Sequence, residues 1–256
     1  MTDLSWLSRT ELLIGKAKLD KLQQSNVLVV GMGGVGSYAA EFICRAGVGK
    51  MTIVDGDVVE PSNRNRQLPA LATTHGQPKA DVMGARLLSI NPDLQLTIKH
   101  EFITPDTAAE LLDECHYDYI VDAIDSLTPK IHLIRAAKTR KLKIISSMGA
   151  GGKLDPTHLK VVDISKTYNC PFAQFIRIRL RKHGISRGVK VVFSPEVVNK
   201  DSLMFTDGSN YKKSAYGTIS YLPAAFGGVC ASVVIRNLIH HEHAHAAPAS
   251  ETAPMS

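Results

Sequence analysis

One stretch, NVLVVGMGGVGSYAAEFICRAG at residues 26–47, constrains this chain more than any other. A run of β-branched residues and leucine enters a cluster of glycines. The cluster then passes into small and apolar residues at helical spacing. Strand, glycine turn and helix in that order form the opening of a βαβ unit, whose strands lie in a parallel sheet covered on both faces. Gly31, Gly33 and Gly36 match G-x-G-x-x-G, in which glycine lets the backbone approach a phosphate and the helix N-terminus attracts its charge. The alternative is a tight strand–helix turn without a ligand. Asp55 ends the next strand near the spacing of a ribose-binding carboxylate, and with it nucleotide binding is the stronger reading.

The alternation continues. Strands are expected at NVLVVG, KMTIVD, LQLTIKHE, DYIVDAID and LKIISSM. Helices are expected over 37–46 and 78–90, and from Thr104-Pro105 and Thr128-Pro129, where a capping residue stands before a proline. After Gly149 the pattern loosens. HLKVVDIS and GVKVVFS read as strands, with a basic helix over 171–183 between them. The fold class is therefore α/β: a Rossmann-like, mostly parallel sheet with helices on both faces, added C-terminal strands and a buried C-terminal helix. Residues 1–239 read as one nucleotide-binding unit and 240–256 as a disordered His/Ala-rich tail. Residues 214–235 carry no charge, yet Pro223 and three glycines interrupt them. They read as a loop and then a buried helix from about Pro223, without stable membrane insertion.

Two further stretches separate a triphosphate site from a dinucleotide site. In VDGDVVEPSNRNRQ, two arginines and two asparagines follow the ribose carboxylate, where a dinucleotide has no need of them. Arg64 and Arg66 suit charge-assisted bonds to phosphate oxygens, Asn63 can donate an amide bond, and Lys79 opens the next helix within reach. In VDAIDS, Asp122 and Asp125 fall at the carboxyl end of the fourth strand, where open α/β sheets bind ligands. A carboxylate facing a polyphosphate is a natural Mg²⁺ ligand. Asp125 is the preferred one, with Asp122 either a structural residue or the alternative.

GMGGVGS, VDGDVVEPSNRNRQ, Lys79 and DAIDS stand in the order and near the spacing found in the ubiquitin-activating-like adenylating enzymes, and the chain resembles that family over about residues 7–239. The resemblance implies carboxylate adenylation by ATP with Mg²⁺. Gly34 would contact the nucleotide, Asp55 the ribose, and Asn63, Arg66 and Lys79 the phosphates, while Asp125 would serve the metal. Gly31, Gly33, Gly36, Asp57, Ser62, Arg64 and Ser126 complete the expected nucleotide-binding set. Arg9, in LSRTELLIG, resembles an arginine that reaches the ATP of a partner subunit, which implies a homodimer. Arg9, Arg66, Lys79 and Asp125 are the expected catalytic residues.

The acid to be activated is indicated by the second half. Carrier-activating relatives usually have two C-x-x-C pairs, and this chain has none; its four cysteines are Cys44, Cys115, Cys170 and Cys230. SSMGAGGKLDPTHLKVVDISKT and VVFSPE instead resemble tRNA-modifying members of the family. That implies ATP-dependent dehydration of N6-threonylcarbamoyladenosine in tRNA, with closure by a neighbouring group of the substrate and no enzyme thiol. The resemblance also implies a cysteine-desulfurase or sulfur-acceptor partner, a role weakened by the lack of cysteine over 201–221. Cys44 and Cys230 fall in helical core patterns, and Cys170 is expected to be more exposed.

Arg177, Arg179, Arg181, Lys182, Arg187 and Lys190, with Lys138, Arg140, Lys141, Lys143, Lys212 and Lys213, form a basic region suited to RNA or to plain solvation. The net charge of +6 agrees with a polyanionic partner. A cytoplasmic site is expected, with reduced thiols. The competing functions are adenylation of the C-terminus of a ubiquitin-like sulfur-carrier protein and a nucleotide-binding scaffold without turnover.

Overall fold

The computed structural model describes residues 4–205 and 214–240. Seven strands form one sheet: β1 (Asn26–Val30), β2 (Lys50–Val54), β3 (Gln95–Lys99), β4 (Tyr119–Asp122), β5 (Ile144–Ser147), β6 (Lys160–Asp163) and β7 (Lys190–Phe193). Their order is β3-β2-β1-β4-β5-β7-β6. All neighbours are parallel except β6, which runs antiparallel to β7 at the edge. β1 is apolar on both faces because both are covered: Val27 and Val29 join one core, Leu28 and Val30 the other.

The first core is roofed by α2 (Lys16–Gln24), α3 (Gly36–Arg45), α4 (Lys79–Ile90) and α8 (Tyr221–His240). The second is covered by α5 (Pro105–Asp113), α6 (Leu127–Thr139) and α7 (Pro171–Arg181). α5 starts as the sequence predicts, with Thr104 and Thr107 capping one another and Pro105 in the first turn. α6 starts one residue before Thr128, after Ser126. α8 is long and apolar enough to cross a membrane by length and composition. Here Leu222, Phe226, Cys230 and Val234 form an i, i+4 stripe that is fully buried against α3 and the sheet.

The structure corrects the sequence reading in several places. Ser214–Tyr216 is not loop: it is β9, paired antiparallel with β8 (Leu203–Phe205) in a second, two-stranded sheet. α8 begins at Tyr221, before Pro223, because proline is tolerated in a first helical turn. Cys170 is buried, not exposed: its side chain turns inward as the residue preceding α7. α1 (Ser8–Ile14) and α2 precede the first strand, where no element was expected. Lys212, Lys213 and the tail from 241 onward lie outside the described residues.

Candidate nucleotide site

The parallel register builds the site. Val30 stands opposite Val54 on β2 and opposite Asp122 on β4, so the three chain segments leaving these strands start at one level. Gly31, Asp55 and Ala123 are the first residues beyond. Successive strands run away from β1 on its two sides, making this the switch point at which open sheets bind ligands.

Gly31 has φ +95°, and a Cβ there would stand 2.9 Å from the Ala123 carbonyl oxygen. Gly36, the first residue of α3, leaves no space at all: a Cβ would lie 1.7 Å from the Gly31 carbonyl oxygen. The loop is thereby folded onto itself, with α3 starting beneath it. Ser37 Oγ donates to the Gly33 carbonyl at 2.5 Å. Gly34 lies against Pro223 of α8 and the Arg66 carbonyl, and Gly33 faces the Gln67 amide.

Asp55 ties the glycine loop to the end of β2. Its Oδ2 accepts from the Met32 N–H at 2.6 Å and its Oδ1 from the Asp57 N–H at 2.8 Å. Burial pushes the Asp55 carboxyl up, against the pull of the Lys79 ammonium and these two N–H groups. Each oxygen keeps a second lone pair for a ribose hydroxyl. Lys79 opens α4 and is buried; its N–H donates to the Asp57 carbonyl at 3.0 Å and its Nζ to Asp57 Oδ2 at 3.1 Å.

The NRNRQ segment wraps the mouth. Asn63 is buried in a reciprocal cap, its Oδ1 accepting from the Glu60 N–H at 3.2 Å and its Nδ2 donating to Ser62 Oγ at 3.4 Å. Arg66 Nη1 donates to the Ser62 carbonyl at 3.0 Å and to Asn65 Oδ1 at 2.8 Å. Burial lowers the Arg66 pKa, and the nearby Asp125 carboxylate opposes that. Arg64 is exposed, and Ser126 immediately precedes α6 without a side-chain capping bond. Arg66 and Asp125, from opposite sides of the switch point, are thus close enough to feel one another.

Asp122 and Asp125 divide their roles. Asp122 is wholly buried, accepts from Lys130 Nζ at 2.8 Å and Ser146 Oγ at 2.6 Å, and belongs to the core. Asp125 is exposed at the mouth. Among the described residues no group of three metal-ligating side chains exists. A divalent ion here would rest on one carboxylate and phosphate oxygens, which is how Mg²⁺ is commonly held.

Arg9 is not brought to this site. It lies in α1, two residues after Leu7, whose side chain covers Gly47 at the opposite end of the sheet. The five residues of β1 alone separate the two ends by roughly 17 Å. Sequence reasoning missed Lys130, eight residues beyond Asp122, and gave no role to Asn65 or Gln67. Asn65 bridges Arg66 to the Thr218 carbonyl, its Nδ2 donating at 2.9 Å. Gln67 has a buried Oε1 with no hydrogen-bond partner among the described residues. Both stand within the arginine-rich stretch, so their place in it was the available signal.

A profile of the ThiF family matches residues 7–253. The tRNA threonylcarbamoyladenosine dehydratase of Bacillus subtilis is 42% identical over 243 residues, 92% of this chain and 95% of that protein. A crystal structure of the Escherichia coli tRNA N6-threonylcarbamoyladenosine dehydratase in complex with ATP superposes with a TM-score of 0.84 at 35% identity, covering 93% of this chain and 97% of that one. The Escherichia coli sulfur carrier protein ThiS adenylyltransferase is 32% identical over 149 residues, 56% of this chain and 59% of that protein.

Proposed function

The chain belongs to the ThiF family, and from that premise we propose that it dehydrates N6-threonylcarbamoyladenosine in tRNA, using ATP to activate the threonyl carboxylate. The observation that carries this reading is the convergence of the glycine loop, Asp55, Arg66, Lys79 and Asp125 at one switch point, in a chain whose likeness to dehydratases runs nearly end to end.

A carboxylate is a poor electrophile because its leaving group would be oxide. Attack of a carboxylate oxygen on the α-phosphorus of ATP, with release of pyrophosphate, turns that oxygen into part of an AMP leaving group. The neighbouring carbamoyl group can then close on the carbonyl and expel AMP. The nucleophile is intramolecular and gains from proximity. In this reading Asp55 accepts from the ribose, and the Gly31–Gly36 loop and the start of α3 take phosphate. Arg66 and Lys79 stabilise the charge that develops during transfer, with Ser62, Asn63, Arg64 and Ser126 as polar contacts around them. Lys79 must then share its charge between Asp57 and phosphate. Mg²⁺, held by Asp125 and phosphate oxygens, would supply further charge neutralisation.

Residues 1–239 act as one adenylating unit. Arg9 serves the site of a second copy, making the enzyme a homodimer. Leu12 and Leu13, on the same helix, are 88% and 85% exposed and offer apolar surface for that contact. We place the enzyme in the cytoplasm, where its four free thiols stay reduced. Sulfur transfer has no part in this reading. Cys115, the exposed cysteine, lies beside Asn26 at the far end of β1, and Cys44, Cys170 and Cys230 are buried.

The test is incubation with ATP, Mg²⁺ and tRNA carrying threonylcarbamoyladenosine, followed by mass analysis of the nucleosides. The expected result is ATP-dependent loss of one water from that nucleoside. Unchanged nucleoside with pyrophosphate exchange on a ubiquitin-like carrier would favour carrier adenylation instead. ATP binding with no consumption would favour the scaffold.

A further inference from the structure

A second cleft, of about 290 Å³, opens where α7 begins and the β8–β9 sheet ends. Tyr168, Gln174, Arg177, Val197, Lys200 and Tyr216 line it, and none of them belongs to the nucleotide site described above. The volume sits at the lower end of small-ligand sites, which suits one nucleotide and excludes a duplex. The lining holds two cations and two phenol rings and no carboxylate. That composition fits an anion carrying a flat ring better than a metal or an apolar ligand.

The ring of Tyr168 is held in place. It meets the buried Phe193 edge-on, with centroids 5.6 Å apart at 75°, and its hydroxyl accepts from Lys160 Nζ at 2.8 Å. It remains 47% exposed. A ring fixed in advance loses little freedom when a base stacks on it. Arg177 uses Nη1 on the carbonyl and hydroxyl of Thr167, and among the described residues its other nitrogens have no hydrogen-bond partner. Lys200 is exposed and makes no ion pair among the described residues.

The cleft is also linked to the adenylating loop. Tyr216 packs on Gly151 and Gly152. Two residues on, the Thr218 carbonyl accepts from Asn65, which holds Arg66. Beyond the cleft, exposed Arg179, Arg181 and Lys182 continue along and just past α7, as a longer polyanion would require.

We propose that this cleft receives one unpaired nucleotide of the RNA substrate, its base stacked on Tyr168 and its phosphate taken by Arg177 and Lys200. The inference rests on the reading of tRNA as substrate, and it assigns a recognition point separate from adenylation. Loop nucleotides in RNA are unstacked and available for such capture.

The experiment measures tRNA binding to the full-length protein by fluorescence anisotropy across a salt series, alongside ATP binding by calorimetry and nucleoside mass. Tyr168→Ala is expected to weaken tRNA binding about tenfold, and Tyr168→Phe to restore it. Lys200→Glu should reduce the slope of log affinity against log salt by about one. ATP affinity should stay unchanged in all three. Tyr168-dependent tRNA binding without any dehydration would support the cleft and count against the proposed activity alone. Wild-type tRNA affinity in both Tyr168→Ala and Lys200→Glu would overturn the cleft, even with dehydration intact. So would Tyr168-dependent binding of free uridine monophosphate with a tRNA affinity indifferent to Tyr168, which would mark a site for a free nucleotide.

Discussion

Two aspartates three residues apart answer to opposite demands. Asp122 has lost all contact with solvent, and its charge is tolerable because the Lys130 ammonium and the Ser146 hydroxyl both reach it. Burial alone would drive the Lys130 pKa down, and Asp122 counters that. Removing one member of such a pair leaves an uncompensated buried charge, at a cost of about 3–5 kcal/mol. Asp122→Asn is therefore expected to lower thermal stability sharply, read by calorimetric melting. Asp125→Asn should melt like the parent and lose Mg²⁺-dependent turnover. Normal turnover in Asp125→Asn would mean that the metal rests on another group. Gly36 shows the same residue-level strictness in backbone form, since the Gly31 carbonyl already occupies the space of its missing side chain.

Among elements, the joint between α3 and α4 keeps the glycine loop and Lys79 in fixed relation. Glu41 of α3 is buried and accepts from Arg86 Nε and Nη2 on α4 and from Arg45 Nε one turn along. Burial pushes the Glu41 carboxyl up, but the hydrogen bonds and charges of Arg86 and Arg45 outweigh it and hold the pKa below the ordinary value. The stabilisation is therefore present above the unfolded carboxyl pKa and lost as pH falls through the lower folded value. With both arginines half-exposed, the pair contributes about 1 kcal/mol after screening. Glu41→Gln is expected to lower stability by that amount near neutrality. The deficit should shrink as pH falls below about 4. A deficit constant from neutral to acid pH in urea titrations would assign the loss to packing instead.

On the scale of the whole molecule, the position of Arg9 makes the sharpest demand. It sits near the end of the sheet opposite the glycine loop of its own chain. If it serves the partner's phosphates, Arg9→Ala and Lys79→Ala homodimers should each lose about 3 kcal/mol of transition-state stabilisation, roughly a hundredfold in rate. Mixed heterodimers should recover activity, because one of their two sites combines an intact Arg9 with an intact Lys79. Absence of recovery in heterodimers verified by native mass spectrometry would remove Arg9 from the reaction.

What the amino-acid sequence determined by itself is the part of this protein carried by local pattern. Apolar runs and helical periodicities mark seven strands and most helices, most plainly the central strands β1, β2, β4 and β5, whose burial on both faces leaves its trace in consecutive residues. The expected nucleotide-site residues stand out in the sequence because Gly31 to Gly36 and Asp55 follow β1 and β2 directly, Asp125 follows β4 and Lys79 opens α4, and a parallel sheet carries the ends of β1, β2 and β4 to one edge. Only tertiary structure decided how elements distant in sequence meet. It paired Lys130 with Asp122, enclosed Cys170, made a strand of Ser214–Tyr216 by giving it Leu203–Phe205 as partner, and carried α1 away from the glycine loop. A strand of three residues has no periodicity of its own, and the burial of a single side chain depends on which element lies over it. Neither leaves a mark on its neighbours in the chain.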